Sequence, residues 1–378
     1  MYLEKIKLEN FRNYESEEID FHKNINIITG DNAQGKTNLL ESIYFSSFTR
    51  SFRTSSDKEM IGFGKDFCRV CSSYSKNDET EEVEIAMNRE GKKTAKVNGV
   101  KVDKLRDVVS DYYVIVFSPE DMKIVKDEPE KRRNFLDREI CQMSIGYLES
   151  LAKYKKLLLQ RNAYLKEDIH DNALLDIWDE NLAEEGAKIM IKRKDFVDKL
   201  SAISEDIHVS ITDGKEIPMI EYRPNIEYRK DPEEQKEIFL DLLSDNRQRD
   251  IMQGNTANGP HKDDLDIMIE GVSTRKYGSQ GQQRTAALSL KLAEIELIKE
   301  EKGEYPILLL DDVLSELDEK RQRFLVDHLE KTQIFITAAE VPEDIIKYFP
   351  ENRKIEIEKG KVKKDRKIFQ KAEVITEE

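Results

Sequence analysis

The feature that most constrains this chain is an eight-residue loop set between a strand and a helix. Asn24 to Thr29 is short, isoleucine-rich and β-branched, the pattern of a buried strand, and it stops at Gly30. Gly30-Asp31-Asn32-Ala33-Gln34-Gly35-Lys36-Thr37 follows, and then Leu39, Leu40, Ile43 and Tyr44 recur at helical spacing. The loop matches G-x-x-x-x-G-K-[S/T], which average residue frequencies produce in about one chain in a hundred of this length. Glycines at both ends let the backbone wrap a phosphate without a Cβ in the way. Successive N–H groups at the helix N-terminus point at negative charge. Lys36 adds a cation at the β- and γ-phosphates, and the Thr37 hydroxyl is a ligand for Mg²⁺.

A second motif lies far along the chain. Ile307-Leu308-Leu309-Leu310 is wholly apolar, as a strand covered on both faces must be, and it ends in Asp311-Asp312. Two carboxylates there are costly unless they have partners, and the C-terminal ends of parallel strands line a ligand crevice. Asp311 is expected to hold Mg²⁺ directly or through water, and Asp312 to orient or deprotonate an attacking water. The plainer alternative is a helix cap followed by a first-turn acid. A third stretch, Tyr277-Gly278-Ser279-Gln280-Gly281-Gln282-Gln283-Arg284, is small and polar and opens a helix running from about Arg284 to Glu301. It suits a phosphate, and it also suits ordinary capping.

The remaining pattern places these motifs. Met1–Leu8 and Glu18–Phe21 alternate like half-buried strands around a turn at Asn10–Tyr14, and strands follow near 67–74, 82–88 and 93–97. Asn98-Gly99 is a hairpin turn, and Tyr112–Phe117 is a buried strand. Beyond Pro129 helix formers dominate to about His208; Leu151, Tyr154, Leu158 and Leu165 share a stripe too short for a coiled coil. Ile217–Tyr228 is strand-like and Asp231–Asp250 helical, and strand character returns from Asp263. A helix at about Glu319–Lys331, a strand at Gln333–Ile336 and a basic segment, Lys359–Lys371, read as a strand plus exposed tail, complete the chain. Alternating strands and helices imply a parallel sheet. At roughly 150 residues per domain, 378 residues make two: a nucleotide lobe of 1–125 and 292–378, and a predominantly helical lobe of 126–291.

Charged residues make up 37% of the chain and the net charge is −15, so any nucleic-acid contact must come from a local cationic cluster. Candidates are Arg50 and Arg53, Lys131 to Arg133, Lys153, Lys155 and Lys156, and Lys192 to Lys194, each also readable as a solvated helix face. No stretch approaches the roughly 18 apolar residues of a membrane span, and Met1–Asn10 lacks the apolar core of a signal peptide. A soluble, cytoplasmic protein with no membrane partner is expected. Cys68 and Cys71 have C-x-x-C spacing, but no second pair completes a zinc site. His261, between Pro260 and an acidic pair, is open between a catalytic or metal-binding role and a positioned turn residue.

The order of phosphate loop, helical insertion, Ser279-Gln280-Gly281-Gln282, apolar strand with Asp311, and Ser315-Glu316-Leu317-Asp318 resembles ABC/SMC ATPase heads. Ser315 to Asp318 is similar to their D-loop. More narrowly, the chain resembles the RecF family of bacterial recombination mediators. The resemblance rests on Asn10-Phe11-Arg12-Asn13-Tyr14, Thr37-Asn38-Leu39-Leu40-Glu41, Arg50-Ser51-Phe52-Arg53-Thr54, Phe117-Ser118-Pro119-Glu120-Asp121, Arg132-Arg133, Gly259-Pro260-His261-Lys262-Asp263-Asp264 and Ser279–Arg284. It implies an α/β fold, a P-loop ABC/SMC-like ATPase head with a predominantly helical second lobe. It implies ATP and Mg²⁺ as ligands, with Arg12 resembling the N-terminal residue that reaches the nucleotide. It further implies a homodimer closed on two ATP molecules, in which Ser279 and Gly281 of one copy meet the γ-phosphate held by Lys36 of the other. The family's output is DNA binding at duplex, gapped or single/double-strand junction sites, with RecO and RecR as partners in loading RecA. Three departures stand out. Glu120-Asp121 offers no glutamine where such heads carry one. Thr337-Ala338, read as following the last sheet strand, offers no switch histidine. Asp312 stands where transporters have glutamate, so a weak ATPase that resets a switch is expected. The alternatives are an SMC-like head coupled to a nuclease, which needs a further metal cluster, and a structural tether, which needs far more heptads than lie between Thr37 and Ser279.

Overall fold

Alternating apolar and charged residues fold the first hundred positions into an antiparallel sheet. β1 (Tyr2–Phe11) pairs with β2 (Tyr14–Asp20), and a bulge between Leu3 and Lys5 brings Leu3, Ile6 and Leu8 onto one buried face. β3 (Ile25–Thr29) then leaves this sheet and leads into α1 (Lys36–Phe48). β4 (Phe67–Lys76), β5 (Glu79–Asn88), β6 (Lys93–Val97) and β7 (Val100–Val102) complete the order β2-β1-β4-β5-β6-β7. Asn98 and Gly99 both take positive φ, 50° and 78°, as the tight β6–β7 hairpin requires. Cys68 and Cys71 lie three apart on β4, and odd spacing in a strand sends them to opposite faces. The short α2 (Arg106–Val109) precedes β8 (Val114–Phe117). The computed structural model describes residues 1–54, 56–76, 79–109, 112–329, 331–339 and 351–369. It divides into two units, Met1–Asp121 with Ile298–Glu378, and Met122–Leu297.

The second unit is mainly helical: α3 (Pro129–Met143), α4 (Ile145–Tyr164) and α5 (Asn172–Thr212), then β9 (Pro218–Arg223), α6 (Pro232–Asp245) and α7 (Arg247–Gln253). β10 (Asp264–Ile269), β11 (Val272–Ser273), the short α8 (Thr274–Tyr277) and α9 (Gln280–Lys302) follow, and β11-β10-β9 form a small antiparallel sheet. α5 has 41 residues. Leu175, Leu182, Ile189 and Phe196, seven apart, are buried along it. The helix packs against α4, α6 and β9, so the stripe serves a lobe core. Arg161 of α4 is wholly buried, with its guanidinium on Asp179, Asp250 and Thr256.

The chain then returns to the first unit with β12 (Ile307–Asp311), α10 (Glu319–Asp327), β13 (Ile334–Ala338), β14 (Glu351–Glu358) and β15 (Lys361–Phe369). The second six-stranded sheet runs β15-β14-β3-β13-β12-β8, parallel except for β15. α1 packs against strands of both sheets and is buried from Leu39 to Phe48, as a helix with apolar and small residues all round must be. Its buried serines are satisfied locally: Ser42 and Ser46 donate to Leu39 O and Ile43 O, and Ser46 and Ser47 share the Tyr74 hydroxyl.

The structure departs from the sequence pattern at a few places. β14 is a full central strand although only Ile355 and Ile357 mark it as apolar, and Thr337 and Ala338 lie inside β13 and not beyond it. The 231–250 helix breaks at Asn246, which ends α6 and opens α7. α10 stops at Asp327. α9 begins at Gln280, and its continuous run to Lys302 carries it across the 297/298 boundary between the units. The expected tail from residue 370 lies outside the described residues. None of the described helices is long and apolar enough to cross a membrane.

Candidate nucleotide-binding site

Between β3 and α1 the backbone curls through three left-handed positions, Gly30 (φ 148°), Ala33 (φ 64°) and Gly35 (φ 121°). A Cβ on Gly30 would lie 2.3 Å from the Ile357 carbonyl of β14, and one on Gly35 would meet the Asn13 side chain at 2.8 Å. Both positions are therefore closed to other residues on steric as well as conformational grounds. Gly35 is the N-cap of α1 and supplies no side-chain cap, so the first-turn N–H groups are left for an external anion. Lys36 Nζ lies across the loop, donating to Gly30 O at 2.6 Å and Asp31 O at 3.2 Å.

The loop is braced from two sides. Asn13 Nδ2 donates to Gln34 O at 2.9 Å and the Tyr14 hydroxyl to Gly35 O at 3.0 Å. Burial pushes the Tyr14 phenol up, so it remains a donor at any working pH. On the other side, the turn between β14 and β15 closes on Gln34: Lys359 N donates to its Oε1 at 2.7 Å and Gly360 N to its backbone O at 2.9 Å.

The parallel register brings the end of β12 to the foot of the loop. Asp311 Oδ1 accepts from Thr37 Oγ1 at 2.9 Å and from Thr337 Oγ1 at 2.8 Å. Two hard oxygen donors thus stand together beside the place for phosphates, the donor set that Mg²⁺ uses when the substrate completes its shell. Among the described residues no three His, Cys, Asp or Glu side chains converge on a metal position. Asp312 follows in the left-handed region (φ 53°), its N–H donating to Thr337 Oγ1 at 3.0 Å and Thr337 O at 3.2 Å. Its carboxylate caps nothing, which removes the helix-cap alternative. Burial raises the Asp312 carboxyl above its ordinary value; Lys36 offsets part of this, and Asp311 adds to it. Thr337, flagged in the sequence only for not being histidine, is the residue that fixes both aspartates.

The other expected site residues have local partners. Arg12 forms a two-point pair with Glu41 of α1, 2.8 and 2.7 Å, and donates to Glu59 O at 2.7 Å. Glu41 is buried four residues beyond Thr37 and also accepts from Ser51, with Arg53 at 3.6 Å. Ser315 Oγ donates to Asp312 O at 2.7 Å, and Asp318 caps α10. In the second unit, Ser279 and Gln282 make a reciprocal capping box: Ser279 Oγ accepts from Gln282 N at 3.2 Å and Gln282 Oε1 from Ser279 N at 2.9 Å. Ser279 and Gln280 are exposed at the start of α9. Asp121 accepts from Ser118 N and Oγ, which closes the turn after β8.

Residues 2–362 match the model of the RecF/RecN/SMC N-terminal domain. A relative from Alkaliphilus oremlandii, "DNA replication and repair protein RecF", is 43% identical over 96% of this chain and all of its own length. The chain belongs to the RecF family. A relative of the same description from Clostridioides difficile is 45% identical over 90% of this chain and 92% of its own. Among solved structures, "the recombination mediator protein RecF-ATPrS in RecFOR pathway" superposes with a TM-score of 0.89 at 36% identity, covering 96% of this chain and 97% of that one.

The segments that suggested RecF from sequence now have a physical account. Gly259–Asp264 is held by a buried polar network. Arg193 donates to Pro260 O at 2.6 Å and pairs with Asp263 at 2.9 Å. Arg132 takes Asp264 in a two-point pair, and Arg133 donates to Asp263 O. Arg132 and Arg193, counted above as candidates for DNA phosphates, are 2% exposed and committed here. Lys153, Lys155 and Lys194 are paired with Glu185, Asp137 and Asp198. His261 accepts or donates at 2.7 Å with the Tyr154 hydroxyl and at 3.0 Å with Thr256 O, and burial lowers its pKa to about 4. The neutral ring then donates from Nε2 to the carbonyl and accepts at Nδ1, which makes it a turn-fixing residue.

Proposed function

We propose that this chain is an ATP-driven DNA-binding switch of recombinational repair. The observation that carries the nucleotide half is the Thr37–Asp311 oxygen pair beside an uncapped helix N-terminus spanned by Lys36. ATP lies in the loop Gly30–Thr37, with Lys36 on the β- and γ-phosphates. Thr37 and Asp311 hold Mg²⁺, which supplies charge neutralisation on the phosphate oxygens. Asp312, with its raised carboxyl, orients the attacking water and takes its proton as the bond from the γ-phosphorus to ADP breaks. Aspartate reaches less far than glutamate, so turnover is slow and serves to reset the protein.

The DNA half is supported by the relatives' description as DNA replication and repair proteins and by the similarity to a recombination mediator of the RecFOR pathway. Two copies close on two ATP molecules, with Ser279–Gln282 of one copy, of which Ser279 and Gln280 are exposed, on the γ-phosphate of the other. ATP shifts the population towards this dimer only by its differential affinity for it. The dimer binds duplex or gapped DNA and acts with RecO and RecR to load RecA. The test is anisotropy of a labelled duplex at fixed salt with Mg-ATP and Mg-ADP, run on wild type and on Lys36→Ala and Asp312→Asn. Tight binding with ATP alone, lost in Lys36→Ala and persistent in Asp312→Asn, is expected. Equal binding with both nucleotides, or a monomeric Asp312→Asn under saturating ATP, refutes the switch.

A further inference from the structure

The basic segment near residue 360 braces the phosphate loop through its backbone, but none of its charged side chains was placed in the nucleotide site. It forms β14 and β15, an antiparallel hairpin whose second strand is the edge of the parallel sheet. From Glu351 to Phe369 there are eight lysines and arginines against four acids, a local charge of +4 in a chain of −15. The register makes this more unusual. Arg353 lies directly opposite Lys367, and Lys354 directly opposite Arg366, so two successive cross-strand rungs are cation against cation. Like charges directly opposite destabilise a strand pair. Arg353 is neutralised by Asp365 at 2.8 Å, but Lys354, Arg366 and Lys367 have no ion-pair partner among the described residues, and the last two are exposed. Rungs on adjacent positions point to opposite faces, so cations stand on both sides of the edge.

We infer that this hairpin grips the sugar-phosphate backbone of DNA and relays the state of the phosphate loop to it. The inference rests on the DNA-binding reading above and names the surface and the link. The partner is a polyanion because cations held opposite one another without ion-pair partners are relieved when phosphates lie over them, and phosphate contacts of this kind position a protein on a duplex. The link is geometric. The hairpin turn donates two hydrogen bonds, from Lys359 N and Gly360 N, to Gln34, the residue before the second glycine of the loop. Any change in the loop's path as phosphates bind is transmitted to the turn from which both basic strands run.

Edge lysines also keep strands from pairing with other copies, and the experiment separates the two roles. Lys354→Gln/Arg366→Gln/Lys367→Gln removes three cations and leaves the turn intact. Duplex binding is measured with Mg-ATP across a salt series, with binding of a fluorescent ATP analogue and light scattering alongside. The expected result is an affinity loss of roughly tenfold or more at 0.1 M salt, and a log–log salt slope shallower by about 2–3, since each phosphate contact contributes about 0.9. Analogue binding is expected to stay at the wild-type level. Unchanged DNA affinity and slope overturn the inference, and so does unchanged affinity with new self-association, which assigns the cations to edge protection. Lys354→Arg/Arg366→Lys/Lys367→Arg keeps every charge and must bind as wild type; if it also fails, strand shape and not charge is responsible and the inference falls. Wild type that ignores DNA under every nucleotide removes the underlying reading instead.

Discussion

Protonation of His261 offers a test in which the structure supplies sign and size. The ring is neutral in the fold, with burial the first cause of its pKa of about 4, against 6.5 ordinarily; Lys262, Arg133 and Arg193 lower it further, and Thr256 O pulls the other way. Between pH 6.5 and 4 the unfolded chain binds a proton that the folded chain does not, so stability rises with pH in that window. The contribution is fully present above about pH 6.5 and is lost as pH falls towards 4. Two and a half units at about 1.4 kcal/mol each amount to about 3.5 kcal/mol, of which about 3 kcal/mol is lost by pH 4, where the folded ring is half protonated. His261→Gln keeps a donor and an acceptor for Thr256 O and Tyr154 but cannot titrate. Trp178, the single tryptophan, lies on α5 in the same unit as His261, so urea unfolding followed by its fluorescence reports the relevant unit. From pH 7 to pH 4 the wild type should lose about 3 kcal/mol of stability relative to the variant. Taking the difference cancels other groups, such as Glu294, whose carboxyl is raised by burial and acts with the opposite sign. Parallel curves across the window would refute a buried neutral His261 and reopen a solvent-facing, catalytic role.

Three substitutions probe the nucleotide site. Thr337→Val removes the hydroxyl that serves Asp311 and Asp312. It should cost about 1–2 kcal/mol of stability and weaken Mg-ATP more than metal-free ATP in calorimetric titrations; equal weakening would limit Thr337 to a structural role. Gly30→Ala places a Cβ against the Ile357 carbonyl, and a fluorescent ATP analogue should no longer bind while circular dichroism is unchanged; retained binding contradicts the packing described. Arg12→Ala leaves buried Glu41 with Ser51 and a distant Arg53, destabilising by about 2–4 kcal/mol. Arg12→Ala/Glu41→Met should recover part of that loss in thermal melts, and a double variant no better than the single one counts against an ion-pair origin.

The phosphate loop and the Asp311-Asp312 strand end were legible because each couples a local pattern to an obligatory conformation. Glycines sit where φ is positive or a Cβ collides, and an unbroken apolar run has only the middle of a parallel sheet to occupy. Thr337 was not legible as the residue that fixes Asp311 and Asp312. Its role depends on β13 lying beside β12, which no single stretch encodes. β14 escaped for a related reason: two isoleucines between charges look like a surface strand, and only its place between β3 and β15 buries them. The basic positions misled most. Arg132 and Arg193 resemble a surface patch in the sequence, yet their carboxylate partners at Asp264, Asp137 and Asp263 draw them inside, an arrangement visible only once segments 56 to 132 residues apart are brought together.

The two braces on the phosphate loop also set a timetable. Gln34 is bonded to Lys359 across 325 positions of sequence, and β3, from which the loop springs, is paired on both sides by β13 and β14. Asn13 and Tyr14 are made before the loop, but at about 5–20 residues per second synthesis separates it from the β14–β15 turn by roughly 15–65 s. During that interval β3 has exposed edges and no partner strands, and contacts of such long range are slow to form even afterwards. A ribosome-bound chain that has made the whole phosphate motif therefore still lacks the β14–β15 turn that closes on Gln34 and the strands that flank β3. The geometry of the loop is thus settled late, by contacts that the motif itself does not contain.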